Sequence, residues 1–187
     1  MSAAEDWQAE RDRLRDRLAN LSLDSLPLAH RAPGVRLTFA TEADVPRIRA
    51  LVQAAFAEYE ATFDPPAGAL RETEEATARS LTQGGALLAW RGEEAVGTVQ
   101  FRLEPVYVYL GRLAVLPQAR GRGVARMLIS CVEQIARLAE RDRVHLGTRL
   151  KLTRNVALYQ RLGYQIVNQF QHPRGADVVV WLEKTLD

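Results

Sequence analysis

The segment from Leu113 to Leu138 constrains the fold of this 187-residue chain most strongly. It begins as an apolar strand, passes through a turn that contains Gly121 and Gly123, and enters a helix at once. Apolar residues recur in that helix every three or four positions, at Val124, Leu128, Cys131, Ile135 and Leu138. Its other face carries Arg122, Glu133, Arg137 and Glu140. A one-sided helix directly after a strand must pack on a sheet, which predicts an α/β fold.

The remaining chain supplies the other strands and helices of such a fold. Period-two patterns predict strands over 35–40, 86–91, 95–103, 106–116, 143–148, 164–170 and 177–182. Helical periodicity and capping residues predict helices over 45–59, 69–82 and 155–162, besides the helix from Val124. Thr41 or Asp44 can cap the first of these helices. The order of elements predicts one α/β domain over residues 35–187, built on a mixed sheet.

Residues 1–34 form a charged extension of different character. Trp7, Leu14, Leu18 and Leu21 make a narrow apolar stripe, and Pro27, Pro33 and Gly34 mark a linker. Because a short helix of this kind is marginal by itself, we expect it to pack on its own domain or on a second subunit.

Composition excludes several classes of protein. The net charge is only +2, and acidic and basic residues are interspersed, so a nucleic-acid-binding surface is not expected. No apolar run approaches the roughly 20 residues that cross a bilayer, and the first residues do not resemble a signal peptide. We therefore expect no membrane association and a cytoplasmic location.

Cys131 is the single cysteine and the three histidines are far apart, so no disulfide or metal site is expected. The apolar neighbours of Cys131 predict a buried, inert thiol.

The turn before the long helix has the chemistry of a phosphate site. A helix N-terminus presents free N–H groups at the positive end of its dipole, and glycines let an anion approach the backbone. Arg120, Arg122 and Arg126 add positive charge. The chain lacks Gly-x4-Gly-Lys-Ser/Thr, which excludes a nucleotide P-loop, and the turn lacks the third glycine of a dinucleotide fingerprint.

Two motifs in this region resemble those of the GNAT superfamily of N-acetyltransferases. The segment from Gln118 to Gly123 is similar to the Q/R-x-x-G-x-G/A signature, and an L-A-V-x-P strand precedes it. The segment from Asn155 to Tyr164 is similar to the N…LY-x-x-x-G-F/Y motif. The resemblance covers residues 35–186. It implies a mixed, mostly antiparallel central sheet flanked by helices, preceded here by the N-terminal helical extension.

The resemblance also implies a site for acetyl-CoA as co-substrate, with no metal. The strand residues Leu113, Ala114 and Val115 would pair with the pantetheine arm, and Asn155 would contact it. The diphosphate would lie on Gln118, Arg120, Gly121, Arg122, Gly123, Val124 and Ala125. Tyr159 would protonate the departing thiolate. The strand over 106–116 should carry a bulge and splay away from the strand over 143–148.

The general base stays open at this point. Relatives often carry a glutamate on the strand before the signature, whereas residues 106–116 hold no carboxylate. Candidates are Glu104, Glu72, and Tyr109 acting through a water molecule; catalysis by water with amine that is already neutral is the further alternative. Arg112 is either a solvated side chain or, if it faces the acceptor, a group that would favour an anionic substrate.

The predicted function is transfer of an acetyl group from acetyl-CoA to a primary amine of a small molecule or peptide, by direct attack in a ternary complex. The alternative is a non-catalytic acyl-CoA-binding regulatory module of the same fold. Members of the superfamily often dimerise, so a homodimer is possible. The sequence carries no motif that identifies the acceptor amine or the preferred acyl chain.

Overall fold

The computed structural model describes residues 3–187 and contains one seven-stranded sheet. The strands are β1 Arg36–Phe39, β2 Gly84–Arg91, β3 Glu94–Leu103, β4 Val108–Val115, β5 Arg143–Arg149, β6 Gln165–Gln171 and β7 Val178–Thr185. Their order across the sheet is β1-β2-β3-β4-β5-β7-β6. Only β4 and β5 pair in parallel, and the other neighbours are antiparallel. The predicted mixed, mostly antiparallel sheet is confirmed.

Five α-helices cover the sheet from both sides. They are α1 Ala3–Ala19, α2 Val45–Phe56, α3 Glu74–Gln83, α4 Val124–Leu138 and α5 Thr153–Arg161. Helices α1, α4 and α5 contribute to the larger apolar core on one face. On the other face, α2 and residues next to α3 pack against Ala86, Leu88 and Ala114. The fold is the helix-flanked α/β arrangement that the alternating pattern predicts.

Several element boundaries differ from the prediction, and two of these differences have clear local reasons. Helix α3 begins at Glu74 instead of 69, because the Thr73 hydroxyl accepts a hydrogen bond from the Ala76 N–H (3.2 Å) and caps the helix there. Strand β2 begins at Gly84, because this residue already pairs with Arg102 of β3. The polar helix therefore runs into the strand without a loop.

One residue of the long helix α4 was assigned to the wrong face. Glu133 was predicted on the polar side, yet it is only 5% exposed. Its two carboxylate oxygens each accept a hydrogen bond from Lys184 of β7 (2.9 Å). A buried carboxylate requires such a partner, and a distant lysine supplies it.

Cys131 behaves as predicted: burial raises the pKa of its thiol to about 12, so it stays protonated at neutral pH.

The N-terminal extension shares the main core. Leu14 and Leu18 of α1 are at most 9% exposed and belong to the cluster that contains α4. The following segment runs along α4, where the Ala29 N–H donates to the Ser130 hydroxyl (2.8 Å) and the Gln134 amide to the Pro27 carbonyl (3.0 Å). Of the two predicted arrangements, the structure shows packing on its own domain. Among the described residues, no helix is both long and apolar enough to cross a membrane.

This packing predicts a measurable contribution to stability. Leu18→Ala should lower the free energy of unfolding by about 2–5 kcal/mol, because Leu18 is buried and its removal leaves a cavity. Leu21 only flanks the core, so Leu21→Ala serves as the matched control with a smaller loss. Urea unfolding of both variants measures the difference. Equal stability of Leu18→Ala and the unaltered protein would show that α1 does not pack as described.

Candidate active site

The central feature of the site is a gap between the parallel strands β4 and β5. Their pairing ends at Leu110 and Leu146. On its other edge β4 stays paired with β3, but the register shifts between Thr98 and Gln100, and Arg112 adopts a left-handed backbone (φ 49°). A bulge of this kind bends the strand locally. Both the bulge and the splay were expected from the resemblance.

Beyond the gap, one edge of β4 lacks a strand partner in the described chain. Gly111, Ala114 and Val115 still pair with β3 on either side of the bulge, whereas no β5 residue pairs with residues 111–115. Their backbone groups on that side are therefore available to an extended ligand, as at the edge of a sheet.

A cleft of about 450 Å³ opens at this edge. Strand β4, the turn before α4, helix α5 and the end of α2 form its walls. Its lining residues are Ala55, Phe56, Glu58, Tyr59, Leu113, Ala114, Val115, Ala119, Arg120, Gly121, Gly123, Val124, Ala125, Arg126, Arg154, Asn155, Leu158 and Tyr159.

The cleft brings together most of the residues selected from the sequence. Those that line it are Leu113, Ala114, Val115, Arg120, Gly121, Gly123, Val124, Ala125, Asn155 and Tyr159. Gln118 and Arg122 do not line it and are exposed on the outside of the turn. The assigned roles remain predictions.

Some lining residues were missed by the sequence analysis. Arg154 directly precedes Asn155 of the second motif, and its charge was a usable signal. Glu58 and Tyr59 follow helix α2 and belong to no motif. Only the folding of α2 against β4 brings them to the cleft.

The turn before α4 requires its two glycines. Gly121 (φ 74°) and Gly123 (φ 85°) both adopt the left-handed conformation that other residues rarely take. Gly123 is the N-cap of α4 and lines the cleft. The free backbone N–H groups of the first helical turn therefore lie next to the cleft. Arg126 and Arg154 add two exposed cations to the same cleft. This combination suits a diphosphate.

Arg120 is already engaged by the protein. Its guanidinium donates to the carbonyls of Val115 (3.0 Å) and Ala55 (3.1 Å) and forms an ion pair with Glu58. Its backbone N–H donates to the Pro117 carbonyl (3.3 Å). Arg120 therefore ties the end of β4 to the end of α2, in addition to lining the cleft.

Tyr159 lies at the inner end of the cleft, on α5. It is 5% exposed, and burial, with a smaller contribution from the charge of Tyr109, raises the pKa of its phenol well above the ordinary value. The phenol is thus fully protonated at neutral pH and can donate a proton. Its ring meets Tyr164 edge to face (centroids 5.8 Å apart), and Tyr164, 2% exposed, packs in the core as predicted.

On the opposite side of the gap, the carboxylates considered as bases are paired. Glu72 is 7% exposed and binds Arg112 through Nε (2.5 Å). Glu104 lies 3.4 Å from Nε of Arg102. The ion pair with Glu72 neutralises Arg112, the cation that was expected to favour an anionic acceptor, so that preference loses its support.

Among the described residues, no group of three or more His, Cys, Asp or Glu side chains could hold a metal ion.

Comparison with known proteins identifies the sequence family. The sequence profile described as the Acetyltransferase (GNAT) family matches residues 48–164. No curated protein matches the chain at a significant level.

Solved structures resemble the chain in fold at low sequence identity. An acetyltransferase assigned to the GNAT family, from Desulfovibrio desulfuricans, is 17% identical with a TM-score of 0.69, over 82% of this chain and 99% of that one. The ribosomal-protein-S18-alanine N-acetyltransferase from Escherichia coli is 17% identical with a TM-score of 0.64, over 82% and 94%. A GNAT family acetyltransferase from Elizabethkingia anophelis, solved with acetyl-CoA bound, is 17% identical with a TM-score of 0.62, over 82% and 99%.

The glycine turn yields a prediction about phosphate binding. Gly123→Asp should weaken coenzyme A binding at least tenfold relative to Gly123→Asn, because the two side chains have the same shape and only aspartate repels a diphosphate. Asparagine tolerates the left-handed backbone at this position, so the pair separates charge from strain. Calorimetric titration with coenzyme A at two salt concentrations measures both affinities. Equal affinities in the two folded variants would place the diphosphate elsewhere.

Proposed function

This chain belongs to the GNAT acetyltransferase family, and we propose that it transfers an acetyl group from acetyl-CoA to a primary amine of a small molecule or peptide, by direct attack in a ternary complex. One observation carries the proposal: a single cleft contains the unpaired edge of β4, the glycine turn of α4 and the protonated phenol of Tyr159. These groups match, in order, an extended thioester arm, a diphosphate and a leaving thiolate.

The cleft residues fit acetyl-CoA by their chemistry. Leu113, Ala114 and Val115 would pair with the arm through backbone groups, and Asn155 lies across the cleft on α5. The first turn of α4, with Arg126 and Arg154, would hold the diphosphate. When bound, acetyl-CoA supplies an activated acetyl group as a thioester. A free N–H of β4 beyond the gap can stabilise negative charge that develops on the thioester oxygen.

Tyr159 would act as the general acid. A thiol has an ordinary pKa near 8.5, so the sulfur accepts a proton readily once the carbon–sulfur bond breaks. The protonated phenol of Tyr159 lines the cleft from α5 and would lie next to the arm, where it could donate this proton. Its burial keeps it protonated throughout the neutral range.

A regulatory module that binds acetyl-CoA without turnover is the second candidate, because β4 carries no carboxylate. Release of coenzyme A, followed with a thiol reagent over a panel of amino acids, polyamines, alkylamines and peptides, separates the two. Amine-dependent release supports the enzyme. Tight acetyl-CoA binding with no release above the amine-free rate for any amine supports the module.

Tyr159→Phe tests the role of the general acid. The variant keeps the ring and loses the hydroxyl, so kcat should fall on the order of 10²-fold, while KM for acetyl-CoA changes little. Tyr164→Phe, the same change in the neighbouring core ring outside the cleft, is the matched control and should retain kcat. Full kcat in Tyr159→Phe at saturating substrates would reduce Tyr159 to a packing residue.

A further inference from the structure

The strands β4 and β5 separate at a pair of glycines. The last pair between the two strands is Leu110 with Leu146, so Gly111 and Gly147 are the first residues of the gap. We call these two glycines the mouth of the gap. Neither has a side chain that could fill the space there, and Gly147 is exposed to solvent.

Two aromatic rings lie over the mouth of the gap. A Cβ on Gly147 would be 3.6 Å from the Tyr109 hydroxyl and 3.9 Å from Cε2 of Trp181. The centroids of the two rings are 5.8 Å apart and their planes are inclined by 56°. Leu110 and Leu182, the next residues on the strands, belong to the larger core, so both rings lie on the opposite face of the sheet. Glycine at position 147 therefore leaves a recess between a phenol and an indole.

Tyr109 is held in this position by its neighbours. The guanidinium carbon of Arg102, its partner on β3, lies 4.2 Å from the ring centroid. A Cβ on Gly111 would be 3.0 Å from the ring, so the ring lies directly against the backbone of β4. Tyr109 and Trp181 are both half-buried, and each exposes part of its ring. A ligand would meet a surface that is already ordered, which lowers the entropic cost of binding.

The charged side chains around the two rings are paired with one another. The pairs are Arg102 with Glu104 (3.4 Å), Arg112 with Glu72 (2.5 Å), Arg149 with Asp177 (3.7 Å) and His145, which pairs with Tyr109 across β4 and β5, with Glu183. A carboxylate or a second ammonium group on the acceptor would have to compete with these existing partners. An apolar group only exchanges water for the two rings, which is favourable.

The segment between α2 and α3, residues 57–73, runs from the cleft to the far strands. It begins at the cleft, where Tyr59 is a lining residue. Further on, the Asp64 N–H donates to the carboxylate of Asp177 (3.1 Å), which is buried just before β7. The guanidinium of Arg149, the last residue of β5, donates to the Pro65 carbonyl (3.2 Å). These contacts fasten the segment to the end of β5 and the start of β7.

The same segment then returns to β4. Glu72 binds Arg112, and a Cβ on Gly68 would be 3.5 Å from the guanidinium of Arg112. Arg112 and Arg149 follow the glycines of the mouth by one and two residues. The segment therefore crosses the open end of the gap close to the mouth. A small amine needs only the space beside the two rings, whereas a peptide has to be accommodated along its whole length.

We propose that Tyr109 and Trp181 form the acceptor-binding surface, and that the acceptor is a small primary amine with an aromatic or alkyl group, rather than a peptide or a polyamine. This inference rests on the proposed function. The carbon chain of the amine lies in the recess over Gly147, its apolar group lies on the exposed parts of the two rings, and its nitrogen points into the gap. The two rings thereby determine the specificity.

Initial rates with four amines test the substrate class: phenethylamine, ethanolamine, spermidine and a tripeptide of alanine. Ethanolamine carries a hydroxyl in place of the phenyl group, and its nitrogen has a similar basicity. The value of kcat/KM for phenethylamine should exceed that for ethanolamine by about 10–100-fold, because the phenyl group is buried against the rings. Spermidine and the tripeptide should be poorer still. A higher kcat/KM for any of these three than for phenethylamine would overturn the proposal.

Two variants test the surface itself. Trp181→Leu should lower kcat/KM for phenethylamine at least about tenfold, and for ethanolamine less than about threefold. Trp90→Leu, the same change in a half-buried tryptophan of β2, is the matched control and should alter neither value. Gly147→Ala adds a methyl group in ordinary contact with both rings, so the fold is kept while the recess is filled. It should lower kcat/KM for phenethylamine at least about tenfold.

Affinity for coenzyme A should be unchanged in all three variants. Equal losses for phenethylamine and ethanolamine in Trp181→Leu, or an unchanged kcat/KM in Gly147→Ala, would overturn the acceptor surface.

A binding measurement separates this inference from the proposed function. Calorimetric titration of phenethylamine into the complex of the protein with coenzyme A should show binding that Trp181→Leu weakens at least about tenfold. Such binding without acetylation of any amine would contradict the proposed function and support the surface. Acetylation of ethanolamine, with phenethylamine bound equally by Trp181→Leu and the unaltered protein, would overturn the surface and support the proposed function.

Discussion

The separation of β4 from β5 after Leu110 and Leu146 is the constraint on which the rest of the site depends. A continuous sheet would satisfy every backbone group of β4 internally and leave no edge for an extended ligand. The bulge at Arg112 keeps β4 paired with β3 while the other edge opens. The opening therefore leaves an edge of β4 without a strand partner in the middle of the sheet, while the other edge of the strand stays paired.

Packing on the two faces fixes what flanks this opening. Helices α4 and α5 belong to the larger core, so the glycine turn and Tyr159 reach the gap from one side. The smaller core holds α2 and the residues beside α3 over β2, β3 and part of β4. Because α2 also ends at the cleft, Arg120 can join the Ala55 carbonyl in its last turn to Val115 at the end of β4. The cleft wall is thus part of the folded framework.

The distribution of charge distinguishes the two sides of the opening. Arg126 and Arg154 are exposed at the cleft, where an anionic ligand would offset them. On the other side, Arg112 is paired with Glu72 and Arg102 with Glu104. That side presents aromatic rings and a histidine with a carboxylate neighbour instead of a net charge.

The sequence by itself determined the fold class, the glycine turn before α4 and the identity of most cleft residues, because these depend on local patterns: the period of α4, the glycines at 121 and 123, and the two motifs. It could not place Glu133, whose burial depends on Lys184, a residue 51 positions away. Nor could it pair Arg112 with Glu72, or align Tyr109, His145 and Glu183, since register between distant strands is set by the whole sheet. The sequence shows which residue types stand together along the chain. Only the tertiary structure decides which side chains from distant segments face one another.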